Sequence, residues 1–180
     1  MSRMTDVRAA HTAELGDNEL KAIRTLLDAA FDGDFSETDW DHTLGGVHAT
    51  AWEDDELVGH GAVVQRRLLH GGRALRTGYL EGVAVRADRR GQGLGAAVMT
   101  ELERVVRGAY ELGALSSSDG TSGFYTARGW QLWQGPACVL ATSGIERTEG
   151  DEGGLYVLAV RARLDPKGVL VCDWRDGDVW

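Results

Sequence analysis

Residues 79–95, YLEGVAVRADRRGQGLG, decide the fold of this chain. Residues 79–85 alternate between two sets, and a period of two predicts a β-strand because successive side chains of a strand face opposite sides. One of these faces carries Tyr79, Glu81, Val83 and Val85. Apolar residues then recur at helical spacing, at Leu94, Val98, Leu102, Val105 and Ala109. A glycine-rich turn therefore joins a strand to a helix.

The glycines of this turn suit a close approach to an anionic ligand. Gly91, Gly93 and Gly95 have no side chain, so their backbone takes positive φ easily and comes near a ligand. A helix that begins there directs unpaired N–H groups and a partial positive charge at an anion. Arg89 and Arg90 add fixed positive charge beside it. We therefore expect a pyrophosphate site built on backbone amides.

Two common phosphate motifs fit this turn poorly. The P-loop pattern GxxxxGK[ST] is excluded because no lysine follows the glycines. The dinucleotide fingerprint is matched formally by Gly91, Gly93 and Ala96, but that motif opens directly off its strand, and here residues 86–90 intervene. A glycine turn without any ligand remains as a further alternative.

Length and charge favour one globular domain with a small-molecule partner. The chain has 180 residues, enough for a sizeable core, so we predict a single domain over residues 1–180. Its net charge of -9 argues against nucleic acid and suits a cationic partner, although many soluble proteins are acidic for solubility alone.

Neither a membrane segment nor a metal site is expected. The start, MSRMTDVRAAHT, lacks the apolar region of a signal peptide, and no run is long enough to cross a bilayer. We therefore expect a cytoplasmic protein. Cys138 and Cys172 form no CxxC pair and the chain has no HExxH motif, so the cysteines are expected to fill the core. A disulfide between them stays open.

The remaining pattern predicts a mixed α/β fold. An amphipathic helix at residues 20–31 precedes an antiparallel meander, which begins at Ala49 and continues, after a charged turn at residues 53–56, through strands at residues 57–69 and 74–85. A strand at residues 112–118 follows the helix of the glycine turn, so the unit is β-α-β and its two strands should be parallel. A further short helix is expected at residues 121–128.

Residues 33–41, GDFSETDWD, are acidic and aromatic, and either a loop or a short helix starting at Ser36 fits them. Phe35 and Trp40 are costly to leave in water and lie among carboxylates. We expect them to form a pocket wall that faces a cationic ligand.

The C-terminal residues 172–180, CDWRDGDVW, are predicted to dock on the fold. Chain termini usually fray, but two tryptophans and three aspartates occupy the last eight residues. Docking brings the terminal carboxylate of Trp180 towards a site.

Two motifs resemble those of the GNAT acetyltransferase superfamily. Residues 90–95, RGQGLG, match its [RQ]-x-x-G-x-[GA] signature at every specified position. Residues 124–130, FYTARGW, are similar to the FYxxxGF segment that these enzymes carry after their second parallel strand. Two motifs in the right order are more specific than either alone.

Longer stretches look like the aminoglycoside 2′-N-acetyltransferases. GDFSETDWDHTLGG, YELGALSSSDG and CDWRDGDVW extend this resemblance over residues 33–180. It implies the GNAT acyltransferase fold, a mixed central sheet with an antiparallel N-terminal meander and a parallel β-α-β acetyl-CoA site. It also implies acetyl transfer from acetyl-CoA to the 2′-amine of a cationic aminoglycoside, and a homodimer.

The resemblance also assigns the acetyl-CoA residues. Backbone amides of residues 92–95, with Arg89 or Arg90, should bind the pyrophosphate, and the strand at residues 83–85 should bond the pantetheine arm. The expected cofactor-binding residues are Val83, Ala84, Val85, Arg89, Arg90, Gly91, Gln92, Gly93, Leu94 and Gly95.

Glu81 and Tyr125 are the expected catalytic residues. An alkylamine is mostly ammonium at neutral pH, so a base must remove a proton before attack, and Glu81 is placed for it. The alternative for Glu81 is a carboxylate that only holds substrate. Tyr125 is the expected acid because the pKa values of a phenol and a thiol are close. Its alternative is a packed aromatic residue.

An aminoglycoside carries several amines, so its site needs several carboxylates. The expected substrate-binding residues are Asp34, Asp39, Trp40, Glu81, Ser116, Asp151 and Trp180. Departures from the family at residues 149–154 and near Asp119-Gly120 leave the substrate range open. A polyamine, amino sugar or protein amine as acceptor, or a protein that binds CoA or drug without turnover, stay as alternatives.

Overall fold

The computed structural model describes residues 4–118 and 121–180, so Asp119 and Gly120 lie outside the described residues. The chain divides into two compact units. The first contains Met1–Val64 and Leu80–Val105, and the second contains Gln65–Tyr79 and Val106–Trp180. The assignment of residues 1–180 to one domain stays a prediction.

Helices and strands are given for the described ranges alone. The α-helices are α1 (Asp17–Ala30), α2 (Glu37–Thr43), α3 (Leu94–Ala109) and α4 (Ser122–Ala127). The strands are β1 (Asp6–His11), β2 (Val47–Glu53), β3 (Glu56–His70), β4 (Arg73–Val85), β5 (Leu112–Ser116), β6 (Gln131–Leu132), β7 (Ala137–Ala141), β8 (Gly144–Arg147), β9 (Leu155–Ala159) and β10 (Leu170–Cys172). Short 3-10 helices lie at Thr12–Glu14, Ala87–Arg89 and Glu149–Asp151.

The first unit contains an antiparallel meander. Strand β1 pairs with β2 from Asp6 opposite Trp52, and β2 pairs with β3 from Val47 opposite Val63. The predicted antiparallel meander is confirmed for β2 and β3, and β4 lies next to β3 in the sheet, but β1 was not predicted. Its side chains are exposed or half-buried along its whole length, so it lacks the apolar alternation that reveals a strand.

Helix α3 packs closely on β3 because Gly61 has no side chain. A Cβ at Gly61 would lie 2.5 Å from Leu102 Cδ1 and 3.3 Å from Val98 Cγ1. Leu102 and Val98 are fully buried, as the helical pattern predicts. The glycine therefore sets the distance between helix and strand.

The predicted buried stripe of α3 is wrong at its C-terminal end. Val106 is fully buried, whereas Val105 is half-buried and Ala109 is exposed. The side chain of Val106 fills the space above two glycines, Gly78 and Gly113, whose added Cβ atoms would lie 3.1 and 3.0 Å from it. Two neighbouring valines look alike in sequence, and only the packing partner selects between them.

The second unit contains the parallel pair. Strand β4 pairs with β5 in parallel from Thr77 opposite Leu112 to Tyr79 opposite Ala114. Strands β9 and β6 continue from β5 in antiparallel order, and β10 pairs antiparallel with β3 and parallel with β7, which carries β8. The predicted mixed sheet with a β-α-β unit is confirmed.

Arg66 joins the C-terminal segment to β3 within the second unit. Its Nε donates to Asp173 Oδ1 at 2.7 Å, and its Nη2 donates to Asp173 O at 2.9 Å. The same guanidinium lies 4.7 Å from the centroid of the Tyr79 ring. A buried cation with these partners fixes the segment that follows β10.

The acidic segment forms a helix, which decides between the two alternatives left by the sequence. Ser36 Oγ accepts from the Asp39 N–H at 3.1 Å, and Asp39 Oδ2 accepts from the Ser36 N–H at 2.8 Å. This reciprocal pair is a capping box, which satisfies two N–H groups at the start of α2.

Both cysteines are buried thiols, so the alternative of a disulfide is wrong. Cys172 Sγ donates to the Val179 carbonyl at 3.3 Å, which ties β10 to the C-terminal residues. Across the part of the chain that the structure describes, no helix has the length and apolar character needed to cross a membrane.

Candidate active site

The glycine turn lies between β4 and α3 in the first unit. Gly91 has φ 73° and Gly93 has φ 82°, as predicted, and an added Cβ at either would meet nothing within 4 Å. The expectation of positive φ is wrong for Gly95, which lies inside α3. Two left-handed glycines therefore present an open stretch of backbone.

The start of α3 is electrostatically suited to an anion. The Ala97 N–H donates to the Gly93 carbonyl at 3.0 Å, so the helix begins directly after the turn. The N–H groups of the preceding helical residues, among them Leu94 and Gly95, have no carbonyl one turn earlier to bond. The first turn of α3 contains no acidic residue. The partial positive charge of the helix end is thus left available.

The two arginines of the turn differ in their surroundings. Arg89 forms an ion pair with Glu53, and their side chains are only 14% and 5% exposed. Arg90 is exposed, and its Nε donates to the Val85 carbonyl at 3.2 Å. Arg90 is therefore the better placed of the two to meet a ligand, because Arg89 already neutralises a buried carboxylate.

Strand β4 does not keep the regular alternation that its sequence predicts. Gly82 has φ 57°, in the left-handed region, and lies between Glu81 and Val83. A Cβ at Gly82 would lie 3.1 Å from Thr43 Cγ2 and 3.3 Å from Leu27 Cδ1. A left-handed glycine within a strand bends it locally and changes the direction of the flanking side chains.

The strand residues expected to meet acetyl-CoA are accessible in part. Glu81 and Val83 are half-buried, and so is Val85, whereas Ala84 is 9% exposed and belongs to the core. Glu81 and the glycine turn thus belong to the same unit.

Tyr125 lies in α4, in the second unit, within an aromatic cluster. Its ring centroid is 5.5 Å from that of Tyr156 and 6.4 Å from that of Trp130. Burial raises the pKa of Tyr125, while a hydrogen bond with the Ser117 side chain acts in the opposite direction. The phenol is therefore protonated at neutral pH and is able to donate a proton. It is also a packed aromatic residue, and its role as the catalytic acid stays a prediction.

Ser117 was missed by the sequence analysis, which named Ser116. Ser116 ends β5 and is exposed, whereas the next residue bonds Tyr125 and also contacts the Thr121 hydroxyl. The run of three serines at residues 116–118 signalled a hydroxyl-rich strand end but not which hydroxyl faces the tyrosine.

The C-terminal residues dock within the second unit, as predicted. Trp180 is 5% exposed, and its Nε1 donates to Thr148 Oγ1 at 2.9 Å. The Thr148 side chain also hydrogen-bonds Asp151. Burial raises the pKa of the Asp151 carboxyl, the Thr148 bond acts in the opposite direction, and the charge of Asp178 adds a smaller increase. Thr148 is a second residue that the sequence analysis missed.

The expected wall for a cationic ligand already faces a cation of the chain itself. The guanidinium carbon of Arg24 lies 5.7 Å from the ring centroids of both Phe35 and Trp40. Arg24 also pairs with Asp28 at 3.0 Å and with Glu37 at 2.9 Å. The wall for a cationic ligand stays a prediction, and the sequence pattern did not reveal that both rings already face an internal cation.

The two aspartates of this segment differ in accessibility. Asp39 serves as the acceptor of the capping box of α2, so its carboxylate already has a structural role. Asp34 is exposed in the loop before α2.

The residues present fit a diphosphate ligand at the glycine turn. Open backbone at Gly91 and Gly93, the free helix end and the exposed Arg90 all point to an anion. A mixed sheet with this turn after β4 defines the class of acyltransferases that use a CoA thioester.

Comparison with known proteins assigns the family. Residues 18–130 match the sequence model of the Acetyltransferase (GNAT) family, so this chain belongs to the GNAT acetyltransferase family. The chain is also 52% identical over 177 residues to the aminoglycoside 2′-N-acetyltransferase of Mycolicibacterium fortuitum. This alignment covers 96% of this chain and 91% of that protein. The family predicted from two motifs is confirmed.

Two solved structures share the fold at low identity. A GNAT-family N-acetyltransferase of Escherichia coli, in complex with CoA, has a TM-score of 0.69 at 17% identity and covers 96% of this chain and 91% of that one. A GNAT-family acetyltransferase of Brucella melitensis, in complex with acetyl-CoA, has a TM-score of 0.63 at 19% identity. The match covers 94% of this chain and 96% of that one. These matches support the fold alone.

Proposed function

We propose that this protein transfers an acetyl group from acetyl-CoA to the 2′-amine of an aminoglycoside. One observation carries the proposal: the 52% identity, over 96% of the chain, to a protein named aminoglycoside 2′-N-acetyltransferase. The net charge of -9 agrees with a polycationic acceptor.

The glycine turn supplies the acetyl-CoA site in this proposal. Amides at the start of α3 and the exposed Arg90 bind the pyrophosphate, and the backbone of residues 83–85 bonds the pantetheine arm. Arg89 contributes through its pair with Glu53, which holds the 3-10 helix before the turn.

Glu81 and Tyr125 handle the protons. Glu81 accepts a proton from the 2′-ammonium group, and the neutral nitrogen then attacks the thioester carbonyl carbon. A C–N bond forms, the C–S bond breaks, and the Tyr125 hydroxyl gives its proton to the departing sulfur. The acetylated nitrogen releases a second proton, so the products are CoA thiol, the N-acetylated drug and one proton in solution.

The substrate-binding residues are proposed with different support. Asp151 and Trp180 are held together through Thr148, so this part of the second unit offers an ordered, partly buried carboxylate. Asp34 and Ser116 are exposed and available. The remaining expected residues have less support, because Asp39 caps α2 and the Trp40 ring faces Arg24.

The reaction is tested with two acceptors that differ at the 2′ position. We expect release of free CoA thiol from acetyl-CoA with tobramycin, which carries a 2′-amine, and little release with kanamycin A, which carries a 2′-hydroxyl. Mass spectrometry and NMR of the product should place one acetyl group on the 2′-nitrogen. Turnover of spermidine or glucosamine with a higher kcat/KM than tobramycin would favour the alternative acceptors. Absence of turnover with tobramycin contradicts the proposal.

Two further parts of the proposal carry over from the sequence. We place the enzyme in the cytoplasm, as the sequence pattern favours, and we expect a homodimer, as the family resemblance implies.

A further inference from the structure

A chain of buried hydrogen bonds crosses the first unit and ends beside Glu81. Thr12 Oγ1 lies 2.7 Å from His48 Nε2, and His48 Nδ1 lies 2.9 Å from His60 Nε2. His60 Nδ1 lies 2.7 Å from the carbonyl oxygen of Gly82. Both histidines are completely inaccessible to solvent. None of these side chains has a part in the proposed reaction.

The direction of every bond in this chain follows from its last member. The Gly82 carbonyl only accepts, so His60 Nδ1 carries the proton and its Nε2 is an acceptor. His48 must then donate from Nδ1 and accept at Nε2, where the Thr12 hydroxyl donates. Thr12 Oγ1 in turn accepts from the Gly45 N–H at 2.9 Å.

The two rings are neutral, as this direction requires. Burial lowers the pKa of His48 to about 4 and that of His60 to about 3. Each ring therefore has one donor and one acceptor, and each finds a partner. The Thr12 hydroxyl also lies 3.4 Å from the Gly46 carbonyl oxygen, so the two histidines, whose ring nitrogens are all bonded, are the fixed part of the chain.

The chain ends on the residue that breaks the regularity of β4. Gly82 is left-handed, with φ 57°, and separates Glu81 from Val83. A glycine has no side chain of its own to fix its conformation, so an outside contact must hold its peptide plane. The short bond from His60 holds the carbonyl that follows Gly82, and thereby the direction in which β4 leaves the bend.

We propose that His60 is a positioning residue for acetyl transfer, which fixes the bend at Gly82 and so the placement of Glu81 relative to the strand at Val83. His48 and Thr12 act through it, because the His48 N–H donates to His60 Nε2 and so supports the tautomer that the Gly82 carbonyl requires. This inference rests on the proposed role of Glu81 as base.

A matched pair of variants separates this role from general packing. In H60N the side-chain amide replaces Nδ1 and still donates to Gly82, whereas in H60Q the amide reaches the position of Nε2 and keeps only the contact with His48. Both lose one of the two bonds of the ring. We expect H60Q to lose kcat with tobramycin by about 10- to 100-fold, since small misplacement of reacting groups has effects of this size. H60N should retain most of it.

The binding of acetyl-CoA supplies a second readout. The glycine turn that holds the pyrophosphate is formed by residues 91–93, away from Gly82, so the Kd for CoA, measured by calorimetry, should change in H60Q by a much smaller factor than kcat, and hardly at all in H60N. Equal losses of kcat in H60N and H60Q, or a loss explained by weaker CoA binding, would overturn the inference. A wild type without turnover would instead contradict the proposed function.

One measurement needs no variant and no activity. Nitrogen-15 NMR of the wild-type protein should show His48 and His60 as neutral rings protonated at Nδ1 near neutral pH. A His60 ring protonated at Nε2 would contradict the bond to Gly82 and with it the proposal.

Discussion

Glu81 stands between a buried neighbour and a left-handed one. Leu80 belongs to the core, and Gly82 bends the strand, so the backbone on both sides of the carboxylate is constrained. Constrained backbone reduces the number of orientations that a short side chain samples before reaction. Such restriction of the side chain favours proton transfer if Glu81 is the base that meets a mobile ammonium group.

Replacing Glu81 by glutamine tests its role. E81Q keeps the shape but cannot accept a proton, so we expect kcat/KM for tobramycin to fall by about 10²- to 10⁴-fold. The loss should be largest at low pH, where the amine is protonated, and should shrink as the pH approaches the pKa of the amine. The measurement is the pH profile of kcat/KM for the wild type and E81Q.

The conservative variant E81D is the control, since it retains a carboxylate and should retain part of the rate. A profile for E81Q parallel to that of the wild type would assign Glu81 to substrate holding alone. A protein that binds without turnover would show no rate in any of the three.

Conformation at single residues was predictable where chemistry alone determines it. Positive φ at Gly91 and Gly93 was predicted from the absence of a side chain, but the same reasoning failed at Gly95, which lies inside α3. The partner of Arg89 was not predictable, because Glu53 lies 36 positions away in sequence and only the fold brings them together. The same holds for Ser117, since neighbouring serines differ only in direction.

At the scale of elements, close contacts between helix and strand depend on glycine. Gly61 in β3 faces Leu102 and Val98 of α3, where even a methyl group has no room. A glycine in this position costs strand propensity but allows the helix to lie close to the sheet. The glycine turn lies immediately before this helix, so the packing of α3 also fixes the direction in which its N-terminus faces the turn.

The variant G61A is expected to reduce the free energy of unfolding by about 1–3 kcal/mol, the usual range for overpacking a core. Its Cβ would lie 2.5 Å from Leu102 Cδ1, and so the helix or the leucine must move. Urea unfolding monitored by tryptophan fluorescence measures the change.

Gly108, in the exposed C-terminal part of α3, provides the matched control. An added Cβ there meets nothing within 4 Å, and alanine is a better helix former than glycine. G108A should therefore be more stable than the wild type by up to about 1 kcal/mol. A G61A protein as stable as G108A would show that α3 adapts without cost.

Elements with strong periodicity were predicted well, and weak ones were not. The bounds of α3 and the glycine turn between β4 and α3 followed from pattern alone. Strand β1 was not predicted, because its side chains show no alternation between buried and exposed positions. At the C-terminal end of α3 the buried position is Val106 and not its neighbour Val105. Tertiary contacts determine both the pairing of β1 and the valine of α3 that is buried.

For the molecule as a whole, the two buried histidines predict loss of stability in acid. Their pKa values in the folded state, about 4 for His48 and about 3 for His60, lie below the ordinary 6.5. The unfolded chain therefore binds more protons below pH 6.5. Stability should fall by up to about 1.4 kcal/mol per pH unit for each histidine as the pH drops from about 6.5. The raised pKa of Asp151 acts in the opposite sense.

The measurement is the free energy of unfolding in urea at pH 7, 6 and 5. The variant H60N is the control, because it removes one of the two groups and should reduce the slope by about half. A wild-type stability that stays constant between pH 7 and pH 5 would contradict the neutral, buried state of the pair.

The fold class and the family were accessible from sequence because motif and pattern agreed. Residues 90–95 and 124–130 indicated the family, and the order of strands and helices indicated the mixed sheet. The histidine chain was not accessible, because His48 and His60 are isolated in sequence and meet only through strand pairing. The internal cation Arg24 was hidden for the same reason.

The bond between Arg66 and Asp173 also bears on how the chain emerges from the ribosome. All residues of the first unit precede residue 106, so that unit is synthesised in full before most of the second. Arg66, by contrast, has its partner Asp173 107 positions later in the chain, so their bond forms only near the end of synthesis. Strand β3 therefore has an unpaired edge next to Leu68 and Leu69 until β10 is made. Slow translation of the last third of the message would leave this edge of β3 exposed for longer and would give a chaperone more time to bind it.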